Sequence, residues 1–138
     1  MSIVLTERAW SVSVPHDARG ARDARHRLAA ELRDVVPPPL LAEAVAVVGE
    51  LVGNAVRHAE PLPGRSVRVA WRLCSDASAE AVEVRVTDGG ASAAPRVRVV
   101  GPDAPDGRGL YIVAALAARW GVERDGLGQT VWAELRAG

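Results

Sequence analysis

Two segments of the chain repeat apolar residues at spacings of three and four, which is the pattern of amphipathic helices. The first, at about residues 18–35, follows Asp17, which can cap a helix, and stops at the prolines of 37–39. The second, at about residues 40–59, carries a polar stripe beside its apolar one. This polar stripe consists of Glu43, Glu50, Asn54 and Arg57. The pattern predicts two successive helices, the second with a polar face on which chemistry is possible.

Elsewhere apolar and polar residues alternate, which predicts strands with one face packed on a core. These strands lie at about residues 3–5, 10–14, 66–73, 81–87, 120–124 and 129–136. A long loop at 89–108 and a mostly apolar helix at 109–119, expected to be buried on most sides, precede the last two strands. Because strands and helices are grouped, we predict an α+β fold. It is a two-layer α/β sandwich, with the helices on one face of a mixed, mostly antiparallel sheet.

Composition narrows the class of protein. A chain of 138 residues with 49% hydrophobic and 25% charged residues suits one packed domain over residues 1–138. The 17 basic residues are all arginine and balance 17 acidic ones, which argues against a general nucleic-acid binder. Cys74 is the only cysteine, so an internal disulfide is excluded and a small buried side chain is expected. The sequence has no secretion signal or long apolar run, so we expect a cytoplasmic protein without membrane contact.

Two motifs with candidate chemistry lie on the second helix and at the end of the fourth strand. Glu50 and Asn54 are one helical turn apart, and a carboxylate beside a side-chain carbonyl suits Mg²⁺. Asp88 ends a strand and precedes Gly89 and Gly90. Its carboxylate can accept from an exocyclic amine, and glycine lets a flat ring approach the backbone. Taken separately, the two motifs also fit a solvated helix face and an ordinary Asp-Gly turn.

Two further motifs lie later in the chain. The third is the run Gly107, Arg108, Gly109 and Leu110. The fourth is Gly128, Gln129 and Thr130. Glycines at a helix N-terminus leave backbone N–H groups free to hold phosphate, and Arg108 can reach either a terminal phosphate or solvent. Thr130 can supply a hydroxyl to the Asp88 site or be a β-turn residue. The sequence has no Walker motif, Rossmann opening, zinc motif or nucleophile elbow.

In this order, the four motifs resemble the N, G1, G2 and G boxes of the GHKL (histidine-kinase-like) ATPase domain found in histidine kinases, gyrase and MutL. The stretches at 50–59, 107–113 and 130–135 are most similar to single-domain bacterial anti-sigma-factor serine/threonine kinases. The resemblance implies a Bergerat-type fold that binds ATP and Mg²⁺, with residues 91–106 as a short ATP lid. One departure is that Ala91 and Ser92 leave the fuller Asp-x-Gly-x-Gly pattern of the G1 box incomplete.

The resemblance also implies a role for each matching residue. Glu50 corresponds to the general base, and Asn54 to the residue that binds Mg²⁺. Asp88 would hold the adenine amine, with Thr130 helping through a water. The other nucleotide-binding residues would be Gly90, Gly107, Arg108, Gly109 and Leu110.

The implied activity is phosphorylation of an anti-sigma-factor antagonist, with control of a sigma factor by partner switching. The alternative is a nucleotide-dependent binding module without kinase activity, which the incomplete G1 box favours and Glu50 disfavours. An autophosphorylating histidine kinase is disfavoured, because no separate helical hairpin presents a phosphoacceptor histidine. The resemblance also implies a homodimer, because related anti-sigma-factor kinases pair through the sheet edge and first helix. The N-terminal strands carry apolar residues that suit such an edge, and the alternative is that these residues pack on the chain's own core. These residues are Ile3, Val4, Leu5 and Trp10.

Overall fold

The computed structural model describes residues 4–76, 80–90, 108–126 and 128–137, which form three helices and five strands. In chain order these are β1 (Val4–Pro15), α1 (Gly20–Leu32), α2 (Pro38–His58), β2 (Ser66–Asp76), β3 (Glu80–Asp88), α3 (Arg108–Leu116), β4 (Arg119–Asp125) and β5 (Gly128–Arg136). The grouping of strands and helices along the chain is the predicted one.

The strands form one sheet in the order β1-β2-β3-β5-β4, and every neighbouring pair is antiparallel. The pairing of β3 with β5 places Asp88, at the end of the central strand, opposite Gln129 near the start of β5. The prediction of two short strands at 3–5 and 10–14 is wrong over the described residues. One strand runs through from Val4, because its pairing with β2 continues along its length apart from a register shift between Val4 and Thr6.

One face of the sheet is apolar and packs against the helices. Its buried side chains include Val67, Val69, Trp71, Leu73, Val82, Val84 and Val86. The opposite face carries charged side chains, such as Arg72 and Glu83, whose closest atoms are 3.5 Å apart. This two-layer arrangement, with helices on one side of an antiparallel sheet, confirms the predicted α+β class.

Helix α2 is the central helix of the core, and it packs on α1, α3 and β3. It begins at Pro38, two residues earlier than predicted, because a proline in the first turn has no hydrogen bond to lose. By length and composition α2 could also cross a membrane, although no long apolar run was expected from the sequence. The core helix of a soluble protein passes the same test, and α2 buries a face against the rest of the chain. That face is formed by Leu40, Ala44, Val47, Val48, Gly49, Leu51, Val52 and Ala55.

Three local predictions need correction. Helix α1 is shorter than 18–35 at both ends. The Asp17 carboxylate accepts from the N–H of Arg19 and forms a turn before the helix rather than capping it, and Arg33 ends the helix with an extended ψ of 133°. Helix α3 is buried on one side only, since Tyr111 is 59% exposed while Val113 is buried. Cys74 is half-buried rather than buried.

Candidate functional site

Asp88 is the last residue of β3, and its side chain is almost fully buried, with 2% exposure. The alternation of β3 puts the carboxylate on the same face as Val86, toward α2. Its Oδ1 accepts a 2.7 Å hydrogen bond from the Gly90 N–H. Burial raises the pKa of Asp88, and the Gly90 hydrogen bond, His16 and Arg124 only partly offset this effect. A hydrogen-bond donor brought to this carboxylate would therefore replace solvation that folding has removed.

The two residues after Asp88 are joined to the segment that follows α2. The N–H of Gly89 donates to the Glu60 carbonyl at 2.7 Å, and the N–H of Glu60 donates to the Gly90 carbonyl at 3.0 Å. A Cβ at Gly89 would lie 2.4 Å from the Pro61 carbonyl oxygen, closer than real Cβ atoms approach. Gly90 has a positive φ of 97°. The close contact requires glycine at position 89, and the positive φ favours it at position 90. The two backbone hydrogen bonds join the segment after α2 to the end of β3 at Asp88.

Glu50 and Asn54 lie one turn apart on α2, and both are half-buried. Gly53, next to Asn54, allows the Arg57 side chain to fold back over the helix, since a Cβ at Gly53 would lie 3.0 Å from Arg57 Nη1. Asn54 also directly precedes Ala55, whose carbonyl contacts His16 near Asp88. His16 and the backbone hydrogen bonds of Glu60 therefore connect the helix that carries Glu50 and Asn54 to the segment around Asp88.

Thr130 is not brought to the Asp88 carboxylate. The alternate residues of β5 that face the core are Gln129, Val131, Ala133 and Leu135. Successive side chains of a strand point to opposite faces, so Thr130 points away from the helices. There its hydroxyl lies 2.7 Å from that of Thr87, its register partner in β3. The structure therefore does not bring the Thr130 hydroxyl to the Asp88 carboxylate, and a role for Thr130 in nucleotide binding stays a prediction.

Gln129 occupies the position predicted for Thr130, and the sequence interpretation missed it. It pairs with Asp88 in the register of β3 and β5, and it is 3% exposed. Its Oε1 accepts from Arg124 Nε at 3.1 Å, which leaves the amide NH₂ as a donor. Every second residue of β5 counted back from the apolar Leu135 lies on the buried face, and this set includes Gln129 but not Thr130. The period of the strand in the sequence therefore indicates Gln129.

The third motif is described only in part. Gly107 and the predicted lid at 91–106 lie outside the described residues, and only the backbone of Arg108 and Gly109 is described. Helix α3 begins at Arg108, and Leu110 is buried in the core. The phosphate-binding role of this motif stays a prediction.

No group of three or more His, Cys, Asp and Glu residues that could hold a metal occurs among the described residues. Mg²⁺ commonly binds to proteins through one or two side chains together with substrate phosphates. An Mg²⁺ bound through Asn54 would be of that kind, and a dedicated cluster of protein ligands is not required for it.

Comparison with solved structures finds several chains of similar fold. One of them is the crystal structure of the RsbU and RsbW domains of Rv1364c from Mycobacterium tuberculosis, with a TM-score of 0.68 and 21% sequence identity. The match covers 95% of this chain and 33% of that one, so this chain spans about a third of its length. The likeness shows a shared fold. No curated protein matches the chain.

The family comparison covers nearly all of the described core. The histidine kinase-like ATPase domain matches residues 14–135, from the end of β1 to the end of β5. This range includes Glu50, Asn54 and Asp88. Membership of this family implies use of a nucleotide. The chain therefore belongs to the histidine kinase-like ATPase family.

Proposed function

We propose that this protein is an ATP-binding regulator that phosphorylates serine or threonine of an anti-sigma-factor antagonist, and so controls a sigma factor by partner switching. The proposal of ATP binding rests on the buried Asp88 carboxylate. Gly90 holds this carboxylate by a hydrogen bond, beside the helix of Glu50 and Asn54. The family match and the fold shared with a structure containing an RsbW domain support the rest.

Adenine is the base that Asp88 suits. Its Oδ1 is occupied by the Gly90 N–H, so Oδ2 is the oxygen that would accept from the exocyclic amine. Guanine presents a carbonyl at the equivalent ring position, and two acceptors cannot form a hydrogen bond. Gln129, buried on the same face, offers an amide donor to a ring nitrogen. The site would therefore select ATP over GTP.

Asn54 and Glu50 would serve the phosphate end. The Asn54 carbonyl would bind Mg²⁺, which when bound neutralises phosphate charge. Glu50, one turn earlier, would take the proton from an incoming serine hydroxyl. Holding the acceptor in line with the terminal phosphate would provide most of the rate.

Asp88→Asn tests the adenine site. Loss of a charged hydrogen bond in a buried site costs roughly 1.5–3 kcal/mol, so ATP affinity should fall about tenfold to a hundredfold. Isothermal titration with ATP, and competition by GTP, measures the change. Asp34→Asn, the same substitution at an exposed residue beyond α1, is the matched control and should leave affinity unchanged. Equal ATP binding by Asp88→Asn, or equal competition by GTP, would rule out the adenine role.

Asn54→Ala tests the metal site. It should remove the part of ATP affinity that depends on Mg²⁺ and spare the remainder, because adenine is held elsewhere. Asp88→Asn is the internal comparison, since it should weaken ATP binding with and without Mg²⁺. The measurement is a nucleotide titration in Mg²⁺ and in a chelator. An unchanged Mg²⁺ dependence in Asn54→Ala contradicts the assignment.

A further inference from the structure

His16 lies in the turn between β1 and α1, and its backbone is firmly placed. Its N–H donates to the Arg65 carbonyl at 2.9 Å. The turn is compact, because a Cβ at Gly20 would lie 2.2 Å from the Pro15 carbonyl oxygen. The backbone that carries the imidazole is therefore held in a defined position.

The imidazole reaches the C-terminal end of α2. Its Nε2 is 3.1 Å from the Ala55 carbonyl oxygen and 2.8 Å from that of Ala59. Carbonyl oxygens only accept, so Nε2 carries the proton and donates to both. The Ala55 carbonyl already accepts from the N–H of Ala59, the last bond of the helix. The Ala59 carbonyl lies beyond that bond, and His16 satisfies it from another element.

Residues 59–61, which we call the α2 strap, connect this contact to Asp88. Directly after Ala59, Glu60 exchanges backbone hydrogen bonds with Gly89 and Gly90, at 2.7 and 3.0 Å. Gly90 in turn donates to the Asp88 carboxylate. An unbroken series of hydrogen bonds and peptide units therefore links His16 to the oxygen that fixes the orientation of Asp88.

We propose that His16 is a positioning residue of the nucleotide site: it holds the α2 strap so that Gly90 keeps Asp88 oriented toward adenine. The inference rests on the proposed function, because it assigns a role in ATP binding to a residue outside the four motifs. The resemblance that identified those motifs does not include His16.

Charge is the other way in which His16 could act on Asp88. A positive charge at His16 and at Arg124 lowers the pKa of Asp88, against the effect of burial. A neutral side chain that still donates to the strap separates the two effects. Glutamine places its amide nitrogen near the position of histidine Nε2, whereas the shorter asparagine does not reach that far.

The experiment compares His16→Gln and His16→Asn with the parent chain, and uses His26→Asn as the matched control. His26 is exposed on α1. Two readouts are taken: ATP affinity by titration, and amide hydrogen exchange of Gly89 and Glu60 without nucleotide. His16→Asn should weaken ATP binding about threefold to tenfold, the effect of one neutral hydrogen bond, and should speed exchange by a similar factor. His16→Gln should stay close to the parent, and His26→Asn should match it.

A double-mutant cycle with Asp88→Asn separates positioning from general structural support. If His16 acts through Asp88, His16→Asn should have little further effect on ATP affinity in the Asp88→Asn background. An equal loss in both backgrounds overturns the proposal, as does unchanged exchange at Gly89 and Glu60. If the parent binds ATP and His16→Asn binds it equally well, only this inference fails. If the parent itself does not bind ATP, the proposed function fails and the inference fails with it.

Discussion

The Asp88 side chain has opposite effects on folding and on the proposed binding. It is a carboxylate taken out of water at the end of a strand, and burial raises its pKa. Ionising it therefore reduces the stability of the ligand-free protein. The same lack of solvation strengthens its interaction with a bound donor. A residue kept for folding alone would more simply be asparagine or an apolar side chain.

Asp88→Asn should therefore stabilise the ligand-free protein at neutral pH while weakening ATP binding. The sign follows from linkage: a group whose folded pKa lies above its unfolded pKa loses stability as pH rises through the folded value. Between the unfolded and the folded pKa of Asp88, the free energy of unfolding of the parent should therefore fall relative to that of Asp88→Asn. Above the folded pKa, the difference between the two should stay constant. Denaturant unfolding without nucleotide, measured from acid to neutral pH, checks this.

Glu31→Gln is the control for this pH profile, because it removes a carboxylate on the exposed side of α1. It should not produce the divergence expected of Asp88→Asn. A parent that gains stability relative to Asp88→Asn as pH rises through the same interval would reverse the sign and contradict the account of Asp88.

At residue scale, the sequence predicts those site residues whose role follows from their own chemistry and that of their neighbours in the chain. A carboxylate followed by two glycines also fits an ordinary Asp-Gly turn, and Asp88 is predicted as a site residue because the motif occurs in order with three others. Hydroxyl chemistry points to Thr130, whereas the period of β5 places Gln129 on the buried face with Asp88. His16 could not be found, because its partners are 39 and 43 residues away in the chain.

At the scale of elements, the start of β5 is held against the end of β3. A Cβ at Gly128 would lie 2.2 Å from the Asp88 carbonyl oxygen, and that atom belongs to the backbone and cannot rotate away. Gly126, two residues earlier in the turn, has nothing within 4 Å of the same added atom. Substitution by alanine at Gly128 and at Gly126 therefore gives a test and its matched control.

Gly128→Ala should destabilise the protein by about 2 kcal/mol or more, because overpacking against backbone forces the strands apart. Gly126→Ala should change stability by less than about 0.5 kcal/mol, as surface substitutions usually do. Thermal unfolding of the two variants measures the difference, and ATP titration below the transition shows whether Asp88 moves with it. Equal stabilities would mean that β5 and β3 can separate freely at this point.

Element type was predictable from hydrophobic period, and element extent was not. Helices α1 and α2 and the hairpin of β2 and β3 follow directly from periods of 3.6 and 2. The continuity of β1 depends on pairing with β2, which is about 60 residues away and leaves no local signal. Exposure of Tyr111 likewise depends on what lies opposite α3, which composition does not reveal.

At the scale of the whole molecule, the N-terminal sheet edge bears on the predicted homodimer. Strand β1 is at one edge of the sheet, as that prediction requires. Trp10, however, stacks on Trp71 within the same chain, with ring centroids 6.3 Å apart. Pairing through this edge would therefore use the strand backbone and not the Trp10 ring. The homodimer and the single-domain organisation stay predictions.

The choice between a kinase and a binding module depends on one carboxylate. Glu50 lies one turn before Asn54 on α2. If Asn54 binds the metal of ATP as proposed, a base at Glu50 would face the terminal phosphate. A general base assists proton transfer and need not contribute to nucleotide affinity. Glu50→Gln keeps the shape of the side chain and removes its basicity.

For a kinase, Glu50→Gln should lower phosphoryl transfer roughly 10²–10⁴-fold, the usual range for general-base catalysis, while ATP affinity changes little. Glu43→Gln, two turns earlier on the same polar stripe, is the matched control and should transfer phosphate like the parent. The assay supplies radiolabelled ATP and candidate serine-bearing antagonists from the same genome. If Glu50 only orders metal-bound water or balances the charge of Arg57, Glu50→Gln will lower ATP affinity and leave the rate of phosphoryl transfer unchanged. If the parent transfers phosphate to none of these antagonists but binds ATP, the kinase proposal is lost. The same histidine kinase-like fold would then act as a nucleotide-dependent binding module. In such a module the buried Asp88 carboxylate would bind the adenine amine, and no general base would be needed.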